Sequence, residues 1–122
     1  MYLYKNDTII PVKVLECLKT GDVVDDRVIA IETIVAKMYN TTVHELDVYY
    51  KDSPAKLMTC FLIFDLLHYS IPSIAVKYKI NSHFLKNKIR DTYKKCLQDH
   101  SFLEYVDGLR TALKQKNEVC NV

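Results

Sequence analysis

SIPSIAVKYKINSHFLKNKIRDTYKK, residues 70–95, is the stretch on which the reading of the fold turns. Ser70-Ile71-Pro72 opens a short helix, because serine is a good cap and a proline in the first turn has no N–H to lose. That helix reaches about Tyr78. Asn81 or Ser82 caps a second helix that runs to Leu97, with Leu85, Ile89, Thr92 or Tyr93, and Cys96 as its inner positions. Two helices separated by roughly three residues, the first short and with the small Ala75 at its centre, make a helix-turn-helix candidate. Ile74, Tyr78, Ile80 and Leu85 would fix the angle between them. Lys79 stands where such turns usually place a left-handed glycine, so either the turn is longer or the chain carries a strain of about 1–2 kcal/mol there.

The same stretch holds seven Lys or Arg residues and one acid, Asp91. Residues 51–95 hold nine bases and three acids, residues 1–50 five and eight, and residues 96–122 three and four, so the formal charge of +2 is concentrated in the middle of the chain. A segregated positive field of this kind steers a protein toward a polyanion, whereas a scattered +2 would say nothing. The helical wheel that buries Leu85 and Ile89 projects His83, Lys86, Asn87, Arg90 and Lys94 together on the opposite side. Asparagine can pair with adenine, arginine or lysine with guanine, and Ser82 at the helix N-terminus suits a phosphate.

Upstream of this stretch the pattern stays helical. Asp25 or Asp26 caps a helix with Val28, Ile31, Val35 and Met38 inside, ending near Tyr39-Asn40. Thr42-Val43-His44-Glu45 reads as a capping box for a short helix to about Val48. Ser53-Pro54 opens a third helix whose Leu57, Cys60, Phe61, Phe64 and Leu67 face inward. Leu62, Ile63 and Leu66 make it apolar almost all round, which predicts a central buried helix. Ser101-Phe102-Leu103-Glu104 is a second capping box, launching a last helix with Phe102, Val106, Leu109 and Leu113 at core spacing, and a frayed tail follows Lys116. Residues 1–22 are ambiguous: Thr8 to Val14 could extend as a strand, while Pro11 could open a short helix ending near Gly21, the reading favoured here.

The chain of 122 residues, 49% hydrophobic with two glycines and three prolines, has the size of one domain and little punctuation for hairpins. The expected fold is all-α, about six helices over residues 25–116 behind an N-terminal extension, residues 1–24, with residues 117–122 as a tail. Cys17, Cys60, Cys96 and Cys120 lack paired spacing and the four histidines lack an H-x-x-x-H pair, so neither a metal nor another cofactor is expected. Cys60 and Cys96 read as small core residues. There is no basic-then-apolar leader, and the apolar run from Met58 to Phe64 is too short for a bilayer, so a cytoplasmic protein with no membrane partner is expected. No nucleophile-elbow or metal motif and no paired acids in the basic block point to an enzyme.

The order of these pieces over residues 26–116 resembles the C-terminal DNA-binding domain of the bacterial replication initiator DnaA, of Trp-repressor-like type. Ile31 to Tyr39 is similar to the family's I-x-x-x-V-A-x-x-[YF] helix, Val43-His44-Glu45-Leu46 to its V-x-x-L segment, and Ser70 to Ala75 to its S-[LI]-P-E-I-G run before the helix-turn-helix. In the family a basic loop carries a minor-groove arginine and D-H-[ST]-T opens the recognition helix. Here residues 47–52 offer Lys51 and no arginine, and Ser82-His83-Phe84-Leu85 keeps the histidine alone. The family's ATPase domain and Gly-rich phosphate loop have no counterpart.

The resemblance implies a double-stranded DNA-binding protein of replication or transcription, associated with the nucleoid. The helix from Ser82 would lie in the major groove, His83, Lys86, Asn87 and Arg90 would read bases, and Lys51, Lys56, Lys77, Lys79, Asn81 and Ser82 would hold phosphates or set register. The other reading is a protein-interaction module on the same scaffold. It would use Tyr49-Tyr50 and the N-terminal extension toward a protein partner or a second copy of the chain.

Overall fold

The computed structural model of the protein describes residues 2–5, 8–11, 20–23, 25–48 and 53–120, and side chains within 20–23, 25–46 and 53–114. Among the described residues from Asp26 onward it is a bundle of six α-helices: α1 Asp26–Met38, α2 Val43–Val48, α3 Pro54–Leu62, α4 Ile71–Tyr78, α5 Ser82–Gln98 and α6 His100–Cys120. Ahead of them stands an antiparallel hairpin, β1 Tyr2–Lys5 paired with β2 Thr8–Pro11, with Leu3 opposite Ile10. Pro11 therefore ends a strand rather than starting a helix. Residues 12–19, where that helix was expected to continue, lie outside the described residues.

The bundle is organised around α3, which packs on α1, α2, α4 and α5. Met58, Cys60, Phe61, Leu62, Ile63 and Phe64 are all buried, as the nearly continuous apolar sequence requires. Phe61 and Phe64 meet the ring of Tyr93 on α5 edge to face, at centroid distances of 4.9 and 6.5 Å. The expected single helix does not keep one geometry. Ile63–Leu67 widens into a π-helical turn that ends at His68 in the left-handed conformation, φ 63°. This turn swings Asp65 toward the two C-terminal helices. Its carboxylate accepts from the Tyr93 hydroxyl at 2.8 Å and from Arg110 Nε on α6 at 2.7 Å, while Arg110 Nη1 also donates to Asp107 at 2.8 Å.

A second buried carboxylate ties the other side. Glu32 on α1 accepts from the Tyr78 hydroxyl on α4 at 2.7 Å, and Lys77 Nζ stands 3.9 Å from the same oxygen. Cys60 and Cys96 are buried as expected. Removal from water pushes the Cys60 thiol up to about 12, with the nearby Lys56 opposing part of the rise.

The caps divide into those that follow the sequence and those that do not. Asp25 accepts from the Arg27 N–H at 2.8 Å and Ser70 from the Ser73 N–H at 3.3 Å. Thr42 accepts from the Glu45 N–H at 3.2 Å, but the Glu45 carboxylate takes the Thr41 hydroxyl instead of reaching back to close the box. Ser53 sits at the cap of α3 without a side-chain cap bond. The last helix starts at His100 and not at Ser101, because Asp99 caps it, accepting from the Phe102 N–H at 3.2 Å. It continues past Lys116 to Cys120.

Asp65→Ala would leave the Tyr93 hydroxyl and the Arg110 guanidinium without their shared acceptor, and a destabilisation of about 2–4 kcal/mol is expected in urea unfolding monitored by circular dichroism. Cys60 should resist iodoacetamide at pH 8 in the folded protein and react on addition of denaturant, a difference that mass spectrometry would read directly.

Candidate nucleic-acid interface

Only Lys79, Ile80 and Asn81 separate α4 from α5. Lys79 adopts φ 56°, ψ 46°, the left-handed conformation that the sequence pattern assigns to this position. The turn is not lengthened to avoid it. The N–H of Ile80 reaches the Ala75 carbonyl at 3.0 Å and that of Lys79 reaches the Val76 carbonyl at 3.4 Å, while the Ile80 side chain is buried. These two bonds and the apolar anchor are those of a Schellman cap, and they offset the cost of a side chain in a glycine position. Asn81 then caps α5, its Oδ1 accepting from the Phe84 N–H at 3.0 Å, so its side chain is committed to the helix start.

On α5, Leu85, Ile89, Tyr93 and Cys96 are buried, as the periodicity predicts. Ser82, His83 and Lys86 are exposed, and Lys79 is exposed beside them. This group forms the accessible part of the expected surface: two lysines, an imidazole and a hydroxyl around a helix N-terminus. Asn87, Arg90 and Lys94, further along the helix, are half-buried, and Arg90 Nε is shielded from solvent without a hydrogen-bond partner among the described residues. Strand β2 lies against α5.

The remaining expected contacts separate. Lys56 is 3% exposed, because the first turn of α3 points inward together with Ala55 and Met58, so a phosphate role for it is corrected to a place in the interior. Lys77 is drawn to Glu32 and lies 5.1 Å from the Tyr78 ring centroid, which holds it toward α1. Lys51, with Tyr49 and Tyr50, lies outside the described residues.

One cation and one anchor were not singled out from sequence. Lys88 is exposed on α5, 5.4 Å from the Phe84 ring centroid, on the flank away from Arg90. The N–H of Gly21, where φ is 109°, donates to Ser73 Oγ at 2.9 Å, fastening the end of the extension to α4, and Val23 enters the core. No local pattern announces a bond across 52 positions. Among the described residues no three His, Cys, Asp or Glu side chains gather to hold a metal ion, and no helix is long and apolar enough to cross a membrane. Comparison with protein-family models, with curated proteins and with solved structures found no match in any of the three.

Lys79→Gly should relieve the left-handed strain and shift the urea midpoint upward, a gain of up to about 1 kcal/mol after the extra chain entropy of glycine is subtracted.

Proposed function

We propose that the protein is a non-enzymatic double-stranded DNA-binding protein that presents the N-terminal half of α5 to the major groove through a helix-turn-helix made by α4 and α5. The observation that carries this reading is the exposed group of Lys79, Ser82, His83 and Lys86 around the start of α5, set in the block where nine bases face three acids. Lysines at a helix N-terminus hold phosphates, and side chains on the first turns of such a helix reach base edges. The resemblance to the C-terminal domain of DnaA points the same way and puts the protein at the nucleoid, in replication or transcription.

Asn87 and Arg90 belong to the same proposed surface but are only half-accessible, so Lys79, Ser82, His83 and Lys86 supply first contact and the deeper pair follows. A second reading, a protein-interaction module, is favoured by one feature. Val76, in the last turn of α4, is 80% exposed, the most exposed of the large apolar side chains among the described residues.

Fluorescence anisotropy with a random duplex and with a DnaA-type box duplex separates the two. With about four phosphates held, affinity should fall about a hundred-fold between 50 and 200 mM salt. Lys86→Ala should weaken both duplexes alike and reduce the salt slope by about one, whereas Arg90→Ala should cost about 1–3 kcal/mol and erase any preference between them. No binding to either duplex at low salt would reject the DNA reading and leave the protein-partner reading.

A further inference from the structure

We infer that the N-terminal hairpin and a DNA duplex compete for the same side of α5, so that the hairpin is a built-in restraint on the binding surface proposed above, on which this inference rests. Among the described residues, α3, α4 and α6 from the bundle and β2 from the hairpin pack on α5. Leu85, Ile89, Tyr93 and Cys96 face the bundle. Asn87 and Lys94 lie on the opposite side by helical spacing and Arg90 on the flank next to them, yet all three are half-buried, and the Arg90 Nε is shielded and unpartnered among the described residues. The side of α5 that carries Asn87, Arg90 and Lys94 is therefore partly covered, while Ser82, His83 and Lys86 on its first turns, and Lys88 further along, stay exposed. A duplex seated on those turns would run into the covered part.

The hairpin is suited to leaving. Two strands alone are at best marginally stable in water, so β1 and β2 depend on the surface they lie against and gain little stability of their own. Residues 2–11 contain one base, Lys5, and one acid, Asp7, so the hairpin leaves the positive block uncompensated, whereas a phosphate backbone neutralises it. The chain behind it is held independently: Gly21 is fastened to Ser73, and Val23 is in the core. Between Pro11 and Thr20 lie eight residues. Eight residues of chain, fully extended, can span up to about 28 Å.

A protein whose binding-competent state is only a fraction of the population binds more weakly by that fraction, so opening the restraint should tighten binding without a new contact. The test compares the full chain with a full-length Leu3→Pro, Ile10→Pro variant, in which prolines remove both donors of the directly opposed pair that alternates with the Tyr2–Pro11 pair. Anisotropy with a random duplex is measured for each, and circular dichroism melting verifies that the bundle persists. The expected result is at least ten-fold tighter binding by the variant. Equal or weaker binding by the variant, with the wild-type chain still binding, overturns the restraint and leaves the DNA reading standing. Absence of binding by both overturns the DNA reading and the inference together.

Hydrogen exchange on the unaltered chain gives an answer that does not depend on the variant folding. Saturating duplex should speed exchange in residues 2–11 as the hairpin lifts. Unchanged or slower exchange there would mean that the hairpin stays, and would overturn the inference.

Discussion

Four of the other helices are placed by the need to cover α3. A nine-residue helix with Met58, Cys60, Phe61 and Leu62 arrayed around its circumference has no side that can face water, so it must be enclosed from several directions. α1, α2, α4 and α5 supply those directions. A fully buried Phe or Leu side chain contributes about 1.5–3 kcal/mol, and the dense set on this helix outweighs any single polar contact elsewhere in the bundle. The position of α5, and with it the orientation of the candidate surface, is a consequence of where Tyr93 meets Phe61 and Phe64.

Apolar enclosure alone would allow the helices to slide, because it is non-directional. Direction comes from two carboxylates. Asp65 joins the end of α3 to α5 and α6, and Glu32 joins α1 to α4. In both, a tyrosine hydroxyl that would otherwise be costly to bury finds an ionic acceptor, and a nearby cation completes the arrangement. Glu32 also stands 3.9 Å from Lys77 Nζ, which holds that lysine toward α1.

The helices, most of the core and the open start of α5 are legible in the sequence because they depend on neighbours within a few positions. Val28, Ile31 and Val35 recur on one helical face, and Asn81 can only serve the turn immediately after it. What the sequence hides depends on distance or on competition between adequate alternatives. Ser101 and Asp99 are both able caps, and the structure uses Asp99, which can receive the Phe102 N–H once α5 stops at Gln98. Lys56 follows Ser53-Pro54 in a way that suggests an exposed loop edge, yet the inward turn of the helix buries it. The π turn at Ile63–Leu67 has no pattern of its own, being selected by where Asp65 must reach. For the hairpin, Thr8 to Pro11 read equally well as strand or as the approach to a helix, and pairing with Tyr2–Lys5 decides between them.

Asp99 ends α5 and begins α6, with no residue to spare between the two helices. A connection that short makes one residue both the end of α5 and the cap of α6, so any substitution at Asp99 acts on both helices at once. α6, at 21 residues, is about 30 Å long. Arg110, partway along it, is bonded to the same carboxylate as Tyr93 on α5, so the two helices share a second junction besides Asp99. The pair α5–α6 is thereby fastened at two points, by the backbone at Asp99 and by side chains at Asp65.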